Sequence, residues 1–540
     1  MNPYAEEQFS VEESDILRRY FTNLDLPVFA LVNLPEVVKG ALFARYSRSA
    51  KSLRRLFLDE FVGDLDITGD ITVDATVGVA RAEQLYERVF LEFGDDSVAQ
   101  LGGVHLACEQ ASNILTKVLE WGRLMSYLEQ STRYIAYDSR LSTGRYRYYR
   151  DSDVLSSAMG TRYVGDMDRM FDTYARLLPV MSGYFAESFP KDPQDSDFVH
   201  RQSIKAKALD SLRGLLPAAS LSNLGIYGNG QSYEALLVRM RGHPLPEVRL
   251  YGEMMLVELR KVIPSFLRRV DLHDRGTAHT RYLRDQAAAM AEVAQELIGE
   301  PWASREANVE LVDFDPDGEA KVVTAALYPH SAMPEGRLME LVHGLTPDQR
   351  ARVLVAYAGE RTNRRHRPGR ALEATSYRFD VVSDYGAFRD LQRHRMMTIQ
   401  WQPLSIAHGY GIPEAVAQAG LAGEFEECMT RSAALYEALL PDFPEQAPYA
   451  VSLAYRIRYS MDMTARQALH LIELRSGPQG HPAYRAVAQE MHRLIGEKAG
   501  HSAIAAMMSF VDHSEPTLER LEAERQAEMR RTVARPGPRL

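Results

Sequence analysis

Two short motifs carry side chains suited to binding phosphate groups. Arg393, His394 and Arg395 follow one another in the second half of the chain, and Arg133 lies two residues after Ser131 in the first half. The planar fork of an arginine binds phosphate bidentately and stays charged. It can also stabilise negative charge that develops on a carbonyl oxygen. The motifs are therefore compatible with a local basic pocket for one phosphate group, although the chain as a whole is acidic.

Each of these features also has a purely structural interpretation. The run 393–395 could be a solvated helix face, and Glu129 and Arg133 are spaced for a salt bridge within one helix. His481 precedes Pro482 and could be a loop histidine. The basic run 364–367 precedes Pro-Gly, which favours an exposed loop over a lid that contacts phosphate.

Composition narrows the classes of function. The net charge of −10 argues against a general nucleic-acid binder, because a phosphate backbone needs a basic face. Cys108 and Cys428 lie in no nucleophile motif, and the sequence has no zinc-ligand spacing. Two cysteines, a polar N-terminus and no run of about 18 apolar residues predict a cytoplasmic protein with no membrane or metal site.

The chain of 540 residues is long enough for two domains, because single cores stop growing at roughly 250–300 residues. The predicted domains are residues 1–303 and 304–513, followed by a charged helical or disordered tail at 514–540. Helical periodicity dominates, and the apolar run Leu101–Leu119 suits a buried helix. The alternating run Asn308–Phe314, a turn, and Lys321–Ala326 predict a hairpin.

The sequence also contains a weak internal repeat. Glu120–Ser126 aligns with Gln392–Thr398, with matching arginine, methionine and hydroxyl residues. Further on, the stretch from Leu215 to Met240 runs parallel to the stretch from Ser452 to Arg475. The first copy carries extra residues between its two blocks, around 138–210. A tandem duplication is therefore predicted.

The segment Asp390–Thr398 resembles the Arg-His-Arg signature of the flavin-dependent thymidylate synthases. The family motif continues to Glu, Ser, Arg and Tyr, and the second copy departs from it between Trp401 and Ile406. The first copy has Trp121-Gly122-Arg123 in place of Arg-His-Arg. It then keeps the rest of the motif at the family spacing, as Ser126, Glu129, Ser131, Arg133 and Tyr134. The signature is thus divided between the two halves.

The resemblance implies a role for each matching residue. Arg475 matches the arginine that activates the pyrimidine, whereas the first copy has Met240 there, with Arg239 one place earlier. Gln100 and Gln231 stand where the second copy has Glu373 and Arg466, and Asn223 where it has Arg458. The implied substrate-binding residues are Glu129, Ser131, Arg133, Arg393 and Arg458. The implied cofactor-binding residues are Glu373, Arg393, His394, Arg395, Arg466, His481, Ser47 and Asn229.

The resemblance further implies an α+β fold in which each half has a small antiparallel sheet flanked by helices. It implies methylation of dUMP to dTMP with FAD as cofactor and with NADPH and methylenetetrahydrofolate as co-substrates. Family sites lie between the subunits of a homotetramer, so two divided halves predict composite sites in a homodimer. Two alternatives stay open: a diverged flavoprotein that modifies another pyrimidine nucleotide, and a non-catalytic nucleotide-binding protein.

Overall fold

The structure, a computed structural model, describes residues 4, 7–34, 36–60, 100, 102–298, 303, 308–515 and 518–534. Residues 299–302 and 304–307, around the predicted domain boundary, and the Pro-Gly-Pro end of the tail lie outside this part. The strands are β1 Val28–Leu31, β2 Gly103–Ser112, β3 Met125–Glu129, β4 Leu221–Asn229, β5 Asn308–Phe314, β6 Ser376–Asp384, β7 Thr398–Trp401 and β8 Arg456–Thr464.

Helices outnumber strands in the described residues. They are α1 Val11–Leu17, α2 Glu36–Tyr46, α3 Leu53–Glu60, α4 Asn113–Leu119, α5 Ser152–Ser156, α6 Gly160–Ser188, α7 Asp197–Leu212, α8 Gly230–Arg241, α9 Pro246–Arg260, α10 Gly276–Ile298, α11 Gly318–Leu327, α12 Glu335–His343, α13 Pro347–Ala358, α14 Tyr385–Gln392, α15 Glu414–Gln418, α16 Ala422–Leu439, α17 Ala465–Arg475, α18 Pro482–Glu497, α19 Ser502–Met507 and α20 Leu521–Ala534.

The chain folds into two compact units, each assembled from separate stretches of sequence. Unit 1 comprises Met1–Ala175, Leu216–Trp302 and Thr430–Val451. Unit 2 comprises Arg176–Leu215, Ala303–Met429 and Ser452–Leu540. The boundary at residues 303 and 304 stays a prediction of where the two copies meet along the sequence.

Each unit contains one antiparallel sheet of four strands with the same topology. The order is β1-β2-β4-β3 in unit 1 and β5-β6-β8-β7 in unit 2. β8 alternates buried Ile457, Tyr459, Met461 and Met463 with more exposed polar residues, as expected for a strand with one face on the core. The predicted α+β fold and the tandem duplication are thereby confirmed.

The main strand-to-helix junctions of both units are capped alike. Ser112, Asn229, Asp384 and Thr464 end strands β2, β4, β6 and β8, and each side chain accepts a hydrogen bond from a backbone N–H in the first turn of the next helix. Such caps stabilise a helix by typically about 1 kcal/mol. The caps occupy matching positions in the two copies. In unit 2 they fix where α14, which precedes the Arg-His-Arg block, and α17, which ends at Arg475, begin.

Two sequence predictions of secondary structure are wrong. The run Leu101–Leu119 is not one helix, because Gly103–Ser112 is the central strand β2 and only Asn113–Leu119 is helical. The predicted hairpin has its first strand, Asn308–Phe314, but the second arm lies within helix α11. In α11, Ala320, Val323 and Thr324 are buried at helical spacing, so tertiary packing overrides the strand preference of valine and threonine.

The tail contains helix α20, which is packed within unit 2. Arg525 binds Asp195 through two hydrogen bonds of 2.6 and 3.0 Å, and Lys207 binds Glu519 at 2.8 Å. These contacts attach the tail to the segment that contains helix α7.

Candidate functional site

The centre of the candidate site in unit 2 is a hydrogen bond between two predicted site residues. Arg475, the last residue of α17, donates from Nε to Nε2 of His394, and the two atoms are 2.8 Å apart. His394 follows α14 and is 8% exposed. The Arg475 guanidinium also lies over the ring of Tyr484, at 5.3 Å from its centroid. The Arg-His-Arg block and the predicted activating arginine are therefore in direct contact.

His394 is a neutral acceptor in this pair. Burial lowers its pKa well below the ordinary value, and the positive charge of Arg475 lowers it further. Because Nε2 accepts, the ring proton is on Nδ1. The side-chain amide nitrogen of Gln467 is 3.5 Å from Nδ1, and a half-turn of the amide would present its oxygen there instead. The tautomer is therefore fixed by the donor from Arg475, and Gln467, which the sequence analysis missed, can accept from the Nδ1 proton.

The positive charge of the site is balanced in part by Asp390. Arg393 donates to Asp390 Oδ1 at 2.5 Å, and Arg213 donates to Oδ2 at 3.3 Å. Burial lowers the pKa of Arg475, and Asp390 opposes that shift. Arg395 is exposed at the end of the block. Asp390 is part of the motif segment, but the sequence predicts no role for it, because its role depends on contacts that only the structure shows.

Glu373 and Arg466, both predicted to contact the cofactor, form an ion pair. Arg466 Nη1 donates to Glu373 Oε1 at 2.8 Å, which lowers the pKa of this carboxyl. In unit 1 the matching residues Gln100 and Gln231 are joined by an amide hydrogen bond of 2.7 Å. The contact is thus kept in both copies, but only the second copy keeps its charges.

A second histidine, His470, lies on the same helix as Arg475 and near the basic run 364–367. Burial lowers the pKa of His470 to about 4, and Arg367 and Arg364 lower it further. The acid near Arg364 is Glu473, whose two oxygens are bound by Arg361 at 2.7 Å. His470 Nδ1 is buried without a hydrogen-bond partner in the described part of the chain. The basic run 364–367 therefore contributes to the charge of the site.

Two other predicted residues of unit 2 have structural partners. Arg458 lies on the more exposed face of β8 and donates to Asp380 at 3.0 Å. His481 caps α18: its Nδ1 accepts from the backbone of Ala483 at 3.2 Å, and Nε2 is 3.2 Å from the carbonyl oxygen of Asp210. Their binding roles stay predictions.

The predicted nucleotide motif lies in unit 1 at the end of β3. Glu129 is buried, and Lys117 Nζ is 3.2 Å from its carboxylate. Ser131 Oγ accepts from the backbone N–H of Arg133 at 3.2 Å, and the N–H of Ser131 donates to the carbonyl of Ser47 at 3.3 Å. The structure thus brings Ser47, predicted from a distant segment, beside Ser131 and Arg133.

Asn229 is not brought to this group by the sheet. Its neighbour Gly228 pairs with Met125, at the opposite end of β3 from Glu129. Its side chain accepts from the N–H of Ser232 at 2.9 Å, which is a helix-capping role. Contact with a cofactor stays a prediction for this residue.

The first copy lacks the paired arginines Arg393 and Arg475 of the second copy. Met240, which matches Arg475, is fully buried. Arg239 instead donates to the carbonyl of Val118 at 3.1 Å, and its guanidinium lies 4.7 Å from the ring centroid of Trp121, the residue that matches Arg393. In unit 1, therefore, an arginine–tryptophan stack replaces the arginine–histidine contact.

Two negative findings apply to the described residues alone. No group of three or more His, Cys, Asp or Glu residues is arranged to hold a metal ion. None of the helices there has both the length and the apolar composition needed to cross a membrane.

Comparisons with known proteins agree with the duplicated architecture. The sequence profile of a family described as thymidylate synthase complementing protein matches residues 46–265 and 310–499. A UPF0159 protein of Chlamydia muridarum is 41% identical over 526 residues, which cover 96% of this chain and 98% of the relative. The UPF0159 protein Ta1429 of Thermoplasma acidophilum is 30% identical over 513 residues, 90% of this chain and 97% of the relative.

A solved structure, the UMP/dUMP methylase PolB from Streptomyces cacaoi bound with 5-Br UMP, aligns over 39% of this chain and 100% of its own. Its sequence identity is 18% and the TM-score is 0.29, which is too low to carry further weight. The profile match covers both copies of the repeat and most of the chain. The chain therefore belongs to the family of thymidylate synthase complementing proteins, the flavin-dependent thymidylate synthases, and contains the family unit twice.

Proposed function

We propose that the chain methylates dUMP to dTMP, taking the one-carbon group from methylenetetrahydrofolate and the hydride from NADPH through FAD. The balanced products are dTMP, tetrahydrofolate and NADP⁺, with one proton consumed. The observation that carries this proposal is the contact of Arg475 with His394 beside Arg393. A largely buried guanidinium held by a neutral imidazole can stabilise negative charge on a pyrimidine oxygen.

The residues of unit 2 fit an anionic cofactor such as FAD. Positive side chains outnumber the nearby acidic ones in this region; they are Arg364, Arg367, Arg393 and Arg475. His470 Nδ1 also offers a buried polar atom to a bound group. We expect Arg393, His394, Arg395, Arg466, Glu373 and His481 of this half to hold the flavin, together with Ser47 and Asn229 of the other. When bound, the flavin would supply the hydride-transfer chemistry.

The residues of the chain would bind and orient the reactants. His394 holds the guanidinium of Arg475 through Nε, and we expect a terminal nitrogen of the same group to donate to a pyrimidine oxygen. Asp390 holds Arg393, which fixes the direction of its charge. Neither cysteine is needed as a nucleophile, and burial raises the pKa of the Cys108 thiol far above its ordinary value.

On the nucleotide side, we propose that Ser131 and Arg133 cradle the phosphate, with Glu129 and Arg458 also binding the substrate. The backbone contact of Ser131 with Ser47 supports this grouping. The first copy keeps this motif, and the second keeps Arg393 and Arg475. Because the two copies are complementary, we propose a composite site in a cytoplasmic homodimer.

Binding of dUMP tests the assignment directly. Arg133→Ala and Arg475→Ala should each abolish binding measured by calorimetry. Arg150→Ala is the matched control, because Arg150 and Arg133 are both 8% exposed. Loss of stability without loss of dUMP binding is expected for the control. Normal dUMP binding by Arg133→Ala would refute the composite site.

Two further measurements separate the alternatives. A purified protein with the absorbance of bound flavin would exclude a non-catalytic, flavin-free role. Growth of a thymidine auxotroph that carries the gene would separate dTMP synthesis from modification of another pyrimidine nucleotide. This second possibility is kept open by Trp121-Gly122 and by the departure from the family motif at residues 401–406.

A further inference from the structure

A buried arginine from the first half of the sequence lies within unit 2. Arg213 begins a 3₁₀ turn, Arg213–Leu215, directly after helix α7. This turn belongs to Arg176–Leu215, the stretch of the first copy that is part of unit 2. Pro448 stands at the matching position of the second copy, so the internal repeat supplies no second arginine of this kind.

Arg213 is connected to the signature block through one carboxylate. Its Nη1 donates to Asp390 Oδ2 at 3.3 Å, while Arg393 binds the other oxygen, Oδ1, at 2.5 Å. The side chains of Arg213 and Asp390 are 4% and 12% exposed. An ion pair shielded to this degree is screened much less than a surface pair.

Helix α14 has a place for this guanidinium. Gly386 and Asp390 are four residues apart and therefore lie on the same face of the helix. A Cβ atom at Gly386 would be only 3.1 and 3.2 Å from Nε and Nη2 of Arg213. The absence of a side chain at this position allows Arg213 to lie along the helix.

We propose that Arg213 is a positioning residue for Arg393, acting through the carboxylate of Asp390. Without Arg213, Asp390 loses one of the two guanidinium groups that bind its carboxylate oxygens. The carboxylate that binds Arg393 is then held less firmly, and the direction of the Arg393 guanidinium is less well defined. The inference rests on the proposed function, because Arg393 is assigned there to the flavin and the nucleotide.

The test uses the full-length protein and FAD itself. Arg213→Met removes the charge at nearly constant length, and Asp390→Asn removes the shared partner. Each should weaken FAD binding by roughly tenfold to a hundredfold, since hydrogen bonds to charged groups have this worth. The double variant should bind FAD about as tightly as the more impaired of the two single variants, because both changes interrupt the same series of contacts.

Two controls separate positioning from general damage to the fold. Lys207 lies in the same segment as Arg213, but its ion pair is with Glu519 and not with Asp390. Lys207→Met breaks that ion pair and should leave FAD affinity within about twofold. Arg213→Lys keeps the charge and should recover part of the affinity. If Arg213→Met fails to fold, Arg213→Gln, which also removes the charge, takes its place and should show the same loss of FAD affinity.

The outcomes are distinct. Wild-type affinity in Arg213→Met, or additive losses in the double variant, would refute the positioning role and leave the proposed function standing. If the unaltered protein binds no FAD, the proposed function fails and the role of Arg213 fails with it.

Discussion

Replacing Arg475 by methionine gives unit 2 the residue that unit 1 carries as Met240. The change removes the donor to His394 Nε2 and one of the cations of the site. Met240 is buried at the equivalent position of helix α8 in unit 1, so we expect methionine to be tolerated at the end of helix α17 in unit 2. The variant therefore separates the chemistry of Arg475 from its contribution to the fold.

Two opposing effects set the expected change in stability. A buried His394 nitrogen without its donor costs about 1–3 kcal/mol. Against this, the variant no longer buries a guanidinium beside Arg393; both burial and that neighbouring charge lower the pKa of Arg475, the sign of an unfavourable environment for its charge. We expect the two effects to offset each other, with a net change in unfolding free energy below about 1 kcal/mol.

The catalytic rate should respond very differently. Loss of one fixed donor to a developing negative charge costs about 10²–10³-fold in kcat. The pKa of His394 should also rise, because Arg475 is the second cause, after burial, of its depression. Urea unfolding, dTMP formation and an NMR titration of His394 measure the three effects separately.

Arg485→Met is the control for stability. Arg485 is 5% exposed and donates to the carbonyl oxygens of Ser476 and Ser514 at 2.7 and 2.8 Å. Its loss should lower the unfolding free energy more than Arg475→Met does, while the folded fraction keeps its kcat. The reasoning is refuted if Arg475→Met retains kcat within about threefold, or if it is the less stable of the two variants.

Two more predictions concern the ion pair and the pH dependence of stability. Changing both Glu373 and Arg466 to Gln copies the amide pair of unit 1; the fold should persist, and purified protein should contain less FAD per chain by absorbance. Burial raises the pKa of Glu247 from 4.5 to about 7, so the folded state keeps this proton longer than the unfolded state. Its stabilisation is fully present below pH 4.5 and is lost as the pH rises through 7. Glu247→Gln should flatten this part of the curve in thermal melts, and an unchanged slope would contradict the pKa shift.

Much of the candidate site could be predicted because its parts lie in short motifs with fixed spacing. The contact between His394 and Arg475 joins two segments that the family resemblance had already singled out. The role of Arg213 could not be predicted, because it lies 177 positions from Asp390 in a region next to an insertion. Only the tertiary fold brings such residues together.

The fold class followed from the resemblance, but individual elements did not follow from periodicity. An apolar run such as Leu101–Leu119 satisfies the pattern of a buried helix and of a central strand equally well. The run at Lys321–Ala326 contains two valines and a threonine, which favour strands locally. In both cases burial in the tertiary structure decided the outcome.

The composition of unit 1 has a consequence for synthesis on the ribosome. Thr430–Val451 belongs to this unit and supplies Tyr449, whose hydroxyl donates to the buried Glu247 at 2.6 Å. The first two stretches of unit 1 are therefore complete at Trp302, long before the last stretch begins at Thr430. Until that segment arrives, Glu247 has Ser112 as a partner but lacks the Tyr449 hydroxyl, and the apolar surface around it is uncovered, which makes the nascent chain a natural client for chaperones.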